Sequence, residues 1–432
     1  VGTLEPNPSR FGLFDAYGVE IELMLVDVTC FDVKPICDEL IASVAGHPAS
    51  EIERGEVAWS NEVALHVLEI KTSQPAPSLG GLAARFREGV RDAARALAPL
   101  GARLMPGGMH PWMDPHQETR LWPHEYTDVY RAFDRIFGCS GHGWANLQST
   151  HLNLPFDGDR EFASLHAAIR IVLPLVPALA ASSPFQDGGL GPGLDSRLVA
   201  YRSNAARIPS VAGRVIPEAV FSRAEYEHEI LGRIYSDLAP HDPEGVLRHE
   251  WVNARGAIAR FERGTIEIRL IDSQECPTGD LAVVAAIVSL VRALTVGRLA
   301  ERDLHADPDT DSLAHLLGEA AVHADRAVAR DRRLLRALGV RKDEVPLGEL
   351  WDRMLDAHPP DDPQREWTAH LQEILRRGPL ARRMLAAVGM PGGPGARSDA
   401  PGKLAGPLPR EALRSVAAEL CRCLEHDATF TP

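Results

Sequence analysis

The chain has 432 residues, a formal net charge of −14, and 45% apolar and 25% charged residues, which fits a globular protein with room for a large core. The acidic balance excludes a nucleic-acid grip, because counterion-releasing contacts need clustered Lys and Arg. Six cysteines, at 30, 37, 139, 276, 421 and 423, form no Cys-x-x-Cys pair, so reduced thiols in a cytoplasmic protein are expected rather than a zinc or disulfide scaffold.

No membrane segment is expected. Ile169–Ala181 is broken by Pro174 and Pro177, and Leu281–Val291 is bounded by Asp280 and Arg292. Both fall short of the roughly 20 residues a bilayer demands and read as buried core helices. The visible start, Val1 to Pro6, has no signal-peptide pattern.

Period-two alternation predicts strands at Tyr17–Val28, Val63–Thr72, Ala102–Met105, Ala145–Leu154 and Thr265–Ile271. Helical spacing is expected at Leu79–Leu97, Glu125–Phe137, Arg160–Ala181, Arg223–Tyr235 and Asp280–Leu299, with Thr278 placed to cap the last. The strands have one apolar and one polar face, which predicts a mainly antiparallel sheet covered by helices on its apolar side, an α+β fold. Beyond about 305 come charge-rich helical segments near Ser312–Leu338, Leu347–His358 and Asp362–Leu385. From Gly389 to Pro409, eleven of twenty-one residues are Gly or Pro, the composition of a linker. A last amphipathic helix places Leu413, Val416, Leu420 and Leu424 on one face, ready to dock on the body. The expected division is a catalytic core at 11–305, a helical extension of the same domain at 306–388, a linker at 389–409 and a helix at 410–427. The Gly/Pro stretch separates that helix from every polar strand, so it is expected to be dispensable for chemistry.

The polar strand faces carry related groups. In Gly18-Val-Glu-Ile-Glu22, Glu20 and Glu22 lie opposite Val19, Ile21 and Leu23. The second strand supplies Glu62 and Glu69, whose odd spacing puts them on opposite faces of a regular strand. Either Glu62 lies in the approach or a bulge re-aims one of the two. His151 and Asn153 share a face of Ser149–Pro155, and Glu267 and Arg269 share one of Thr265–Asp272. Carboxylates aligned on one sheet repel each other unless a cation lies between them. Five glutamates and one imidazole suit Mg²⁺ or Mn²⁺ rather than zinc.

Arg202, Arg255, Arg260 and Arg269 accompany these carboxylates. They suit a polyanion such as a nucleotide phosphate, or else pair with the same glutamates. The chain has no Gly-x-x-x-x-Gly-Lys-Ser/Thr loop and no Gly-x-Ser-x-Gly elbow. Gly188–Gly193 is Gly-rich but lacks both a Lys and a preceding strand.

Eight motifs in order resemble the glutamate–cysteine ligase and carboxylate–amine ligase family, relatives of glutamine synthetase. They are Gly18–Glu22, Glu62–Thr72, Gly108-Met-His-Pro-Trp112, Ser149-Thr-His-Leu-Asn153, Ala181-Ser-Ser-Pro-Phe185, Ser196–Arg202, Trp251–Arg255 and Thr265–Asp272. Met109 stands where the family usually has Thr, and Trp251–Gly264 lacks its common Arg-Pro pair. The resemblance implies a curved antiparallel sheet forming a funnel, with metals and ATP on its inner face. It implies Mg²⁺ held by Glu20, Glu22, Glu62, Glu69, His151 and Glu267. Nucleotide contacts would come from Arg269, Arg260, Glu62 and Asn153, and Arg202 and Arg255 would address substrate carboxylate or phosphate.

The implied activity is ATP-dependent joining of a carboxylate to an amine through an acyl phosphate, with glutamate and cysteine, as in glutathione biosynthesis, the leading pair. A Mg²⁺-dependent hydrolase, or a ligase for another amino-acid pair, are the alternatives, and a non-catalytic nucleotide sensor is a third. The expected partners are small amino-acid substrates, with no nucleic acid and no membrane. Self-association into a homo-oligomer is left open.

Overall fold

The computed structural model describes residues 11–295, 299, 308–390 and 407–432. Its centre is an eight-stranded sheet built from β1 (Gly18–Asp27), β2 (Glu51–Arg54), β3 (Val57–Asn61), β4 (Val67–Thr72), β5 (Ala102–Met105), β6 (Ser149–Pro155), β7 (Ala257–Arg260) and β8 (Thr265–Asp272). The order is β2-β3-β4-β1-β6-β8-β7, with β5 also on β1, and every pairing is antiparallel. Along one edge of β1, residues Gly18–Ile21 pair with β6 and residues Met24–Asp27 with β5. Gln148 bridges the fork, its Oε1 accepting the Met24 N–H at 2.7 Å.

Alternation assigns the two faces. Val19, Ile21, Leu23, Leu68, Ile70, Leu152, Leu154, Ile266 and Ile268 all enter one core. Helices α1 (Cys37–Ala45), α2 (Leu82–Leu97), α3 (Thr127–Phe137), α4 (Gly158–Val172), α5 (Ser196–Tyr201) and α6 (Pro277–Thr295) contribute to it. Helix α6 is apolar and long enough to cross a bilayer, yet 89% of its apolar window is buried inside the protein, as expected of a core helix. The later helices α7 (Thr310–His323) and α8 (Leu347–Ala357) add Leu313, Leu317, Leu350 and Trp351 to the same core.

Several expected elements are divided, each for a local reason. The segment Arg160–Ala181 is α4, a 3₁₀ turn at Leu173–Leu175 and a short helix at Pro177–Ala180, because Pro174 and Pro177 cannot donate to the ladder. A π-helical turn at Glu227–Gly232 interrupts Arg223–Tyr235. Helix α7 stops where Ala324 takes φ +50°, leaving Arg332–Ala337 as a separate helix. Asp362–Leu385 becomes α9 (Thr368–Arg377) and α10 (Leu380–Ala387), parted at Gly378-Pro379, where Gly378 has φ +86°. The Val63–Thr72 strand is the second arm of a hairpin, and Ala145 ends a short helix instead of opening β6. Thr278 lies inside α6 and does not cap it. The 305/306 boundary and most of the Gly/Pro linker lie outside the described residues.

The last helix, α11 (Arg410–His426), does dock. Leu413, Val416 and Leu420 close a second core with Met24, Val26, Val67, Met105, Trp112, Leu380 and Met384. Just beyond it, Asp427 accepts the Thr278 N–H at 3.1 Å and the Thr278 hydroxyl at 2.6 Å, and pairs with Arg87 at 3.0 Å. The docking expected from its apolar face is present, and the helix lines no part of the described cleft.

Candidate active site

Register brings the polar side chains into rows across the sheet. Glu20 lies opposite Lys71 of β4 and His151 of β6, and Glu22 lies opposite Glu69, which in turn faces Ser60 of β3. Asn153 lies opposite Gly18 on one side and Glu267 on the other. Together these residues floor a cleft of about 1110 Å³, above the usual range of roughly 300–1,000 Å³ for a single small-molecule pocket.

The floor is tightly bonded. His151 Nδ1 is 3.0 Å from Glu20 Oε2, and Asn153 Nδ2 donates to Glu20 Oε1 at 3.0 Å. Glu22 Oε2 accepts the Ser149 N–H at 2.7 Å and its hydroxyl at 2.9 Å. Ser60 donates to Glu69 at 2.7 Å, and Lys71 Nζ lies 3.3 Å from Glu69 and 2.6 Å from Glu51. Glu62 sits just past β3, so it belongs to the approach and not to a bulge. From there it joins Glu22 and Glu69 with ligand atoms within 4.8 Å of one another, and Glu20, Glu69 and His151 form a second such group sharing Glu69.

The charges on this floor are unbalanced. Burial raises the Glu20 carboxyl, but the hydrogen bond and charge of His151 outweigh it and bring it down to about 2. Burial pulls His151 down, but Glu20 and Glu22 lift it to about 9, so among these carboxylates the ring favours its cationic form. Burial and then the charge of Glu20 push Glu69 up to about 7. Burial, then the charges of Glu22 and Glu69, push Glu62 well above the usual carboxylate range. A hard divalent cation fits this donor set: it would relieve the crowding at Glu62 and Glu69 and displace the proton from His151.

Glu267 is placed differently from the other five ligand candidates. It pairs with Arg269 and accepts from Arg260 Nη1 at 3.1 Å, while its Oε1 is 3.9 Å from His151. It holds two guanidinium groups beside the metal-fit cluster. Two other arginines are not brought here. Arg255 is 1% exposed and enclosed. Glu218 grips it at 2.6 and 2.7 Å, Ser210 and Asn253 take its remaining edge, and a Cβ at Gly213 would fall 2.7 Å from its Nη2. Arg202 lies exposed past the end of α5 and packs against Gly318. Neither lines the cleft: Arg255 is neutralised by a partner 37 positions away, and Arg202 projects from the wrong side of its helix.

The profile of glutamate–cysteine ligase family 2 matches residues 16–405. The chain belongs to that family. Membership makes it an enzyme of the ligase class. An uncharacterised Archaeoglobus fulgidus protein is 35% identical over 341 residues, covering 77% of this chain and 91% of that protein. A Bordetella avium protein named "Putative glutamate--cysteine ligase 2" is 31% identical over 269 residues, covering 59% of this chain and 57% of its own. The chain thus spans a little over half the length of that relative. Among solved structures, glutamate–cysteine ligase of Francisella tularensis, determined in complex with AMP, superposes with a TM-score of 0.57 at 10% identity, covering 96% of this chain and 90% of that one. The α+β fold with its antiparallel sheet and helical C-terminal part is therefore the fold of a glutamate–cysteine ligase.

Within the family frame, the cleft also holds residues that the strand pattern passed over. Lys71 shares a face with Glu69 by simple alternation and could have been read from it. Arg197 and Tyr201 line the cleft from α5. The Ser196–Arg202 motif pointed to that helix, but to its last arginine instead of its first. Arg223 and Arg263 also line the cleft, and nothing in their local sequence marks them.

Proposed function

We propose that this family member is an ATP-dependent carboxylate–amine ligase of the glutamate–cysteine type, working through an acyl phosphate. One observation carries the proposal: a cluster of carboxylates fit for hard cations and a hairpin rich in arginine share a single cleft. A hydrolase acting through water has less use for that second half. The fold likeness to a ligase solved with AMP supports a nucleotide in the cleft.

Two anions must meet for a carboxylate oxygen to attack the γ-phosphorus of ATP, so catalysis depends on charge neutralisation and alignment. Arg260 and Arg269, on β7 and β8, are positioned to turn from Glu267 to phosphate oxygens, a bidentate exchange of one oxyanion for another. Bound by Glu22, Glu62 and Glu69, or by Glu20, Glu69 and His151, Mg²⁺ or Mn²⁺ would supply Lewis-acid neutralisation of the phosphates. Ser149, Ser60 and Asn153 hold Glu22, Glu69 and Glu20 in place for that role. Attack breaks the β,γ-bridge and releases ADP. The amine nitrogen then adds to the acyl phosphate carbonyl, inorganic phosphate leaves, and the amine gives up a proton.

ADP release should require a carboxylate and an amine together, with glutamate and cysteine the leading pair in a panel of amino acids. It should stop when EDTA removes the divalent cation. Phosphate release from ATP with neither amino acid present would favour the hydrolase instead, and full turnover in EDTA would remove the metal from the account.

A further inference from the structure

Several polar atoms of residues that line the cleft are buried without a protein partner among the described residues, two of them on its helical wall. Arg197 and Tyr201 stand one turn apart on α5, are 1% and 8% exposed, and both line the cleft. Among the described residues, Arg197 Nη2 is buried with no hydrogen-bond partner, and the buried Tyr201 hydroxyl has no acceptor for its proton at hydrogen-bond geometry. Groups of this kind are nearly always satisfied in a folded protein, and leaving one unpaired is costly.

Their surroundings fix them in place without satisfying them. Asp272 binds Arg197 Nε and is itself held by the Ser182 N–H and the Ser183 hydroxyl, each at 2.8 Å. Arg197 is therefore a guanidinium with one edge anchored. The Tyr201 hydroxyl oxygen lies against the Arg269 guanidinium and feels its charge and hydrogen-bonding pull, and as an acceptor there it keeps its own O–H to donate. A cationic donor and a neutral O–H donor one turn apart, on a helix that cannot move freely, match a carboxylate or phosphate oxygen pair. They do not match a cation or an apolar group.

We propose that Arg197 and Tyr201 form an oxyanion receptor on the helical wall of the cleft, apart from the carboxylate floor and next to Arg269, whose carbonyl Arg197 Nη1 reaches at 3.5 Å. Its occupant is an oxyanion of the bound ligand, resting on the ligase proposal for its source: a non-reacting carboxylate of the amino-acid substrate or a phosphate of the nucleotide. This is the role that the family resemblance implied for Arg202 and Arg255, neither of which lines the cleft.

Calorimetric titration of the full chain with MgATP and, separately, with L-glutamate tests this in the wild type, Tyr201→Phe and Arg197→Lys. Tyr201→Phe keeps the buried ring and removes a hydroxyl whose proton has no acceptor among the described residues, so its melting temperature should stay close to the wild-type value. Affinity for one of the two ligands should fall on the order of tenfold, and further in Arg197→Lys, while the other ligand binds as before. Selective loss of glutamate identifies the group as a carboxylate, and selective loss of MgATP as a phosphate. Unchanged affinity for both ligands in Tyr201→Phe overturns the receptor, as does an equal loss for both accompanied by a lower melting temperature. If the wild type binds neither ligand, the ligase proposal fails on its own. The receptor is then judged by thermal protection with succinate and with inorganic phosphate: protection lost in Tyr201→Phe supports it, and no protection of the wild type ends it.

Discussion

Strand β1 carries two different surfaces on one face. Glu20 and Glu22 floor the cleft, whereas Met24 and Val26, the next two residues on that face, are fully buried beneath α11. The backbone geometry does not change between them, only the side chains and what the neighbouring strands offer. Lys71, Glu69 and His151 stand beside the first pair, and Val67 and Met105 beside the second. The last helix covers the apolar half and leaves the carboxylates to the cleft. One half of the face is optimised for burial. The other holds like charges that the unliganded fold must tolerate, an arrangement that serves chemistry at the expense of stability.

The sharpest way to break this comparison is Glu69→Gln, because Glu69 belongs to both metal-fit groups. Turnover should fall at least ~100-fold, since even outer partners of metal ligands are worth 10–100-fold. Stability should move the other way. The Glu69 carboxyl is raised to about 7 in the fold, so the folded state loses stability as pH rises through that value. In EDTA at pH 8, the variant should melt above the wild type. A variant both active and less stable would mean that Glu69 is an ordinary structural residue.

The covered half should behave in the opposite way. Leu420 is 1% exposed in the second core, and Leu420→Ala should cost about 2–5 kcal/mol in denaturant unfolding. The kcat/KM of the remaining folded enzyme should stay near wild type. A large loss of activity at unchanged stability would instead make the tail part of the catalytic apparatus.

Within the cleft, Arg269→Lys keeps the charge but loses the planar fork that now grips Glu267. It should cost about 1.5–3 kcal/mol in kcat/KM for ATP, read from steady-state kinetics at saturating amino acids. Kinetics like wild type would mean that the Glu267–Arg269 pair persists through turnover as a structural ion pair.

How far the sequence carried depends on where each signal resides. Period-two alternation exposed β1, β4, β5, β6 and β8, and with them Glu20, Glu22, Glu69, Glu267 and His151, because one face of each strand is apolar. It missed β2, whose residues Glu51–Arg54 are exposed or half-buried throughout, β3, whose residues Val57–Asn61 are buried on both faces, and β7, whose Ala-Ile-Ala run does not alternate. Glu62 was ambiguous too, since only the β3–β4 hairpin explains its aim. Arginine roles were the least legible. Whether a guanidinium faces a ligand or an internal carboxylate depends on partners distant in sequence, such as Glu218 for Arg255, and on helix phase, which sets Arg197 inward and Arg202 outward.

The smallest effect concerns the sheet's other side, where a titratable group serves neither surface of β1. His166 is 1% exposed, stacked on Phe162 at 5.2 Å and edge-on to Tyr226 at 5.9 Å. Burial, then the nearby Arg170 charge, bring it down to about 3, so the folded ring stays neutral through the ordinary pH range. Below about 6.5 the unfolded chain takes up a proton that the fold refuses, so this residue's contribution to stability is lost as pH falls towards 3. His166→Phe keeps an aromatic ring in the stack and removes that proton linkage. The two proteins should melt alike at pH 7.5. By pH 5 the variant should be ahead by about 2 kcal/mol, the linkage over roughly 1.5 pH units, with kcat unchanged at both values. Parallel melting curves across this range would show that His166 takes up its proton inside the fold. The core would then tolerate a buried charge of the kind found on the cleft floor, and the contrast between the two regions would be one of accessibility alone.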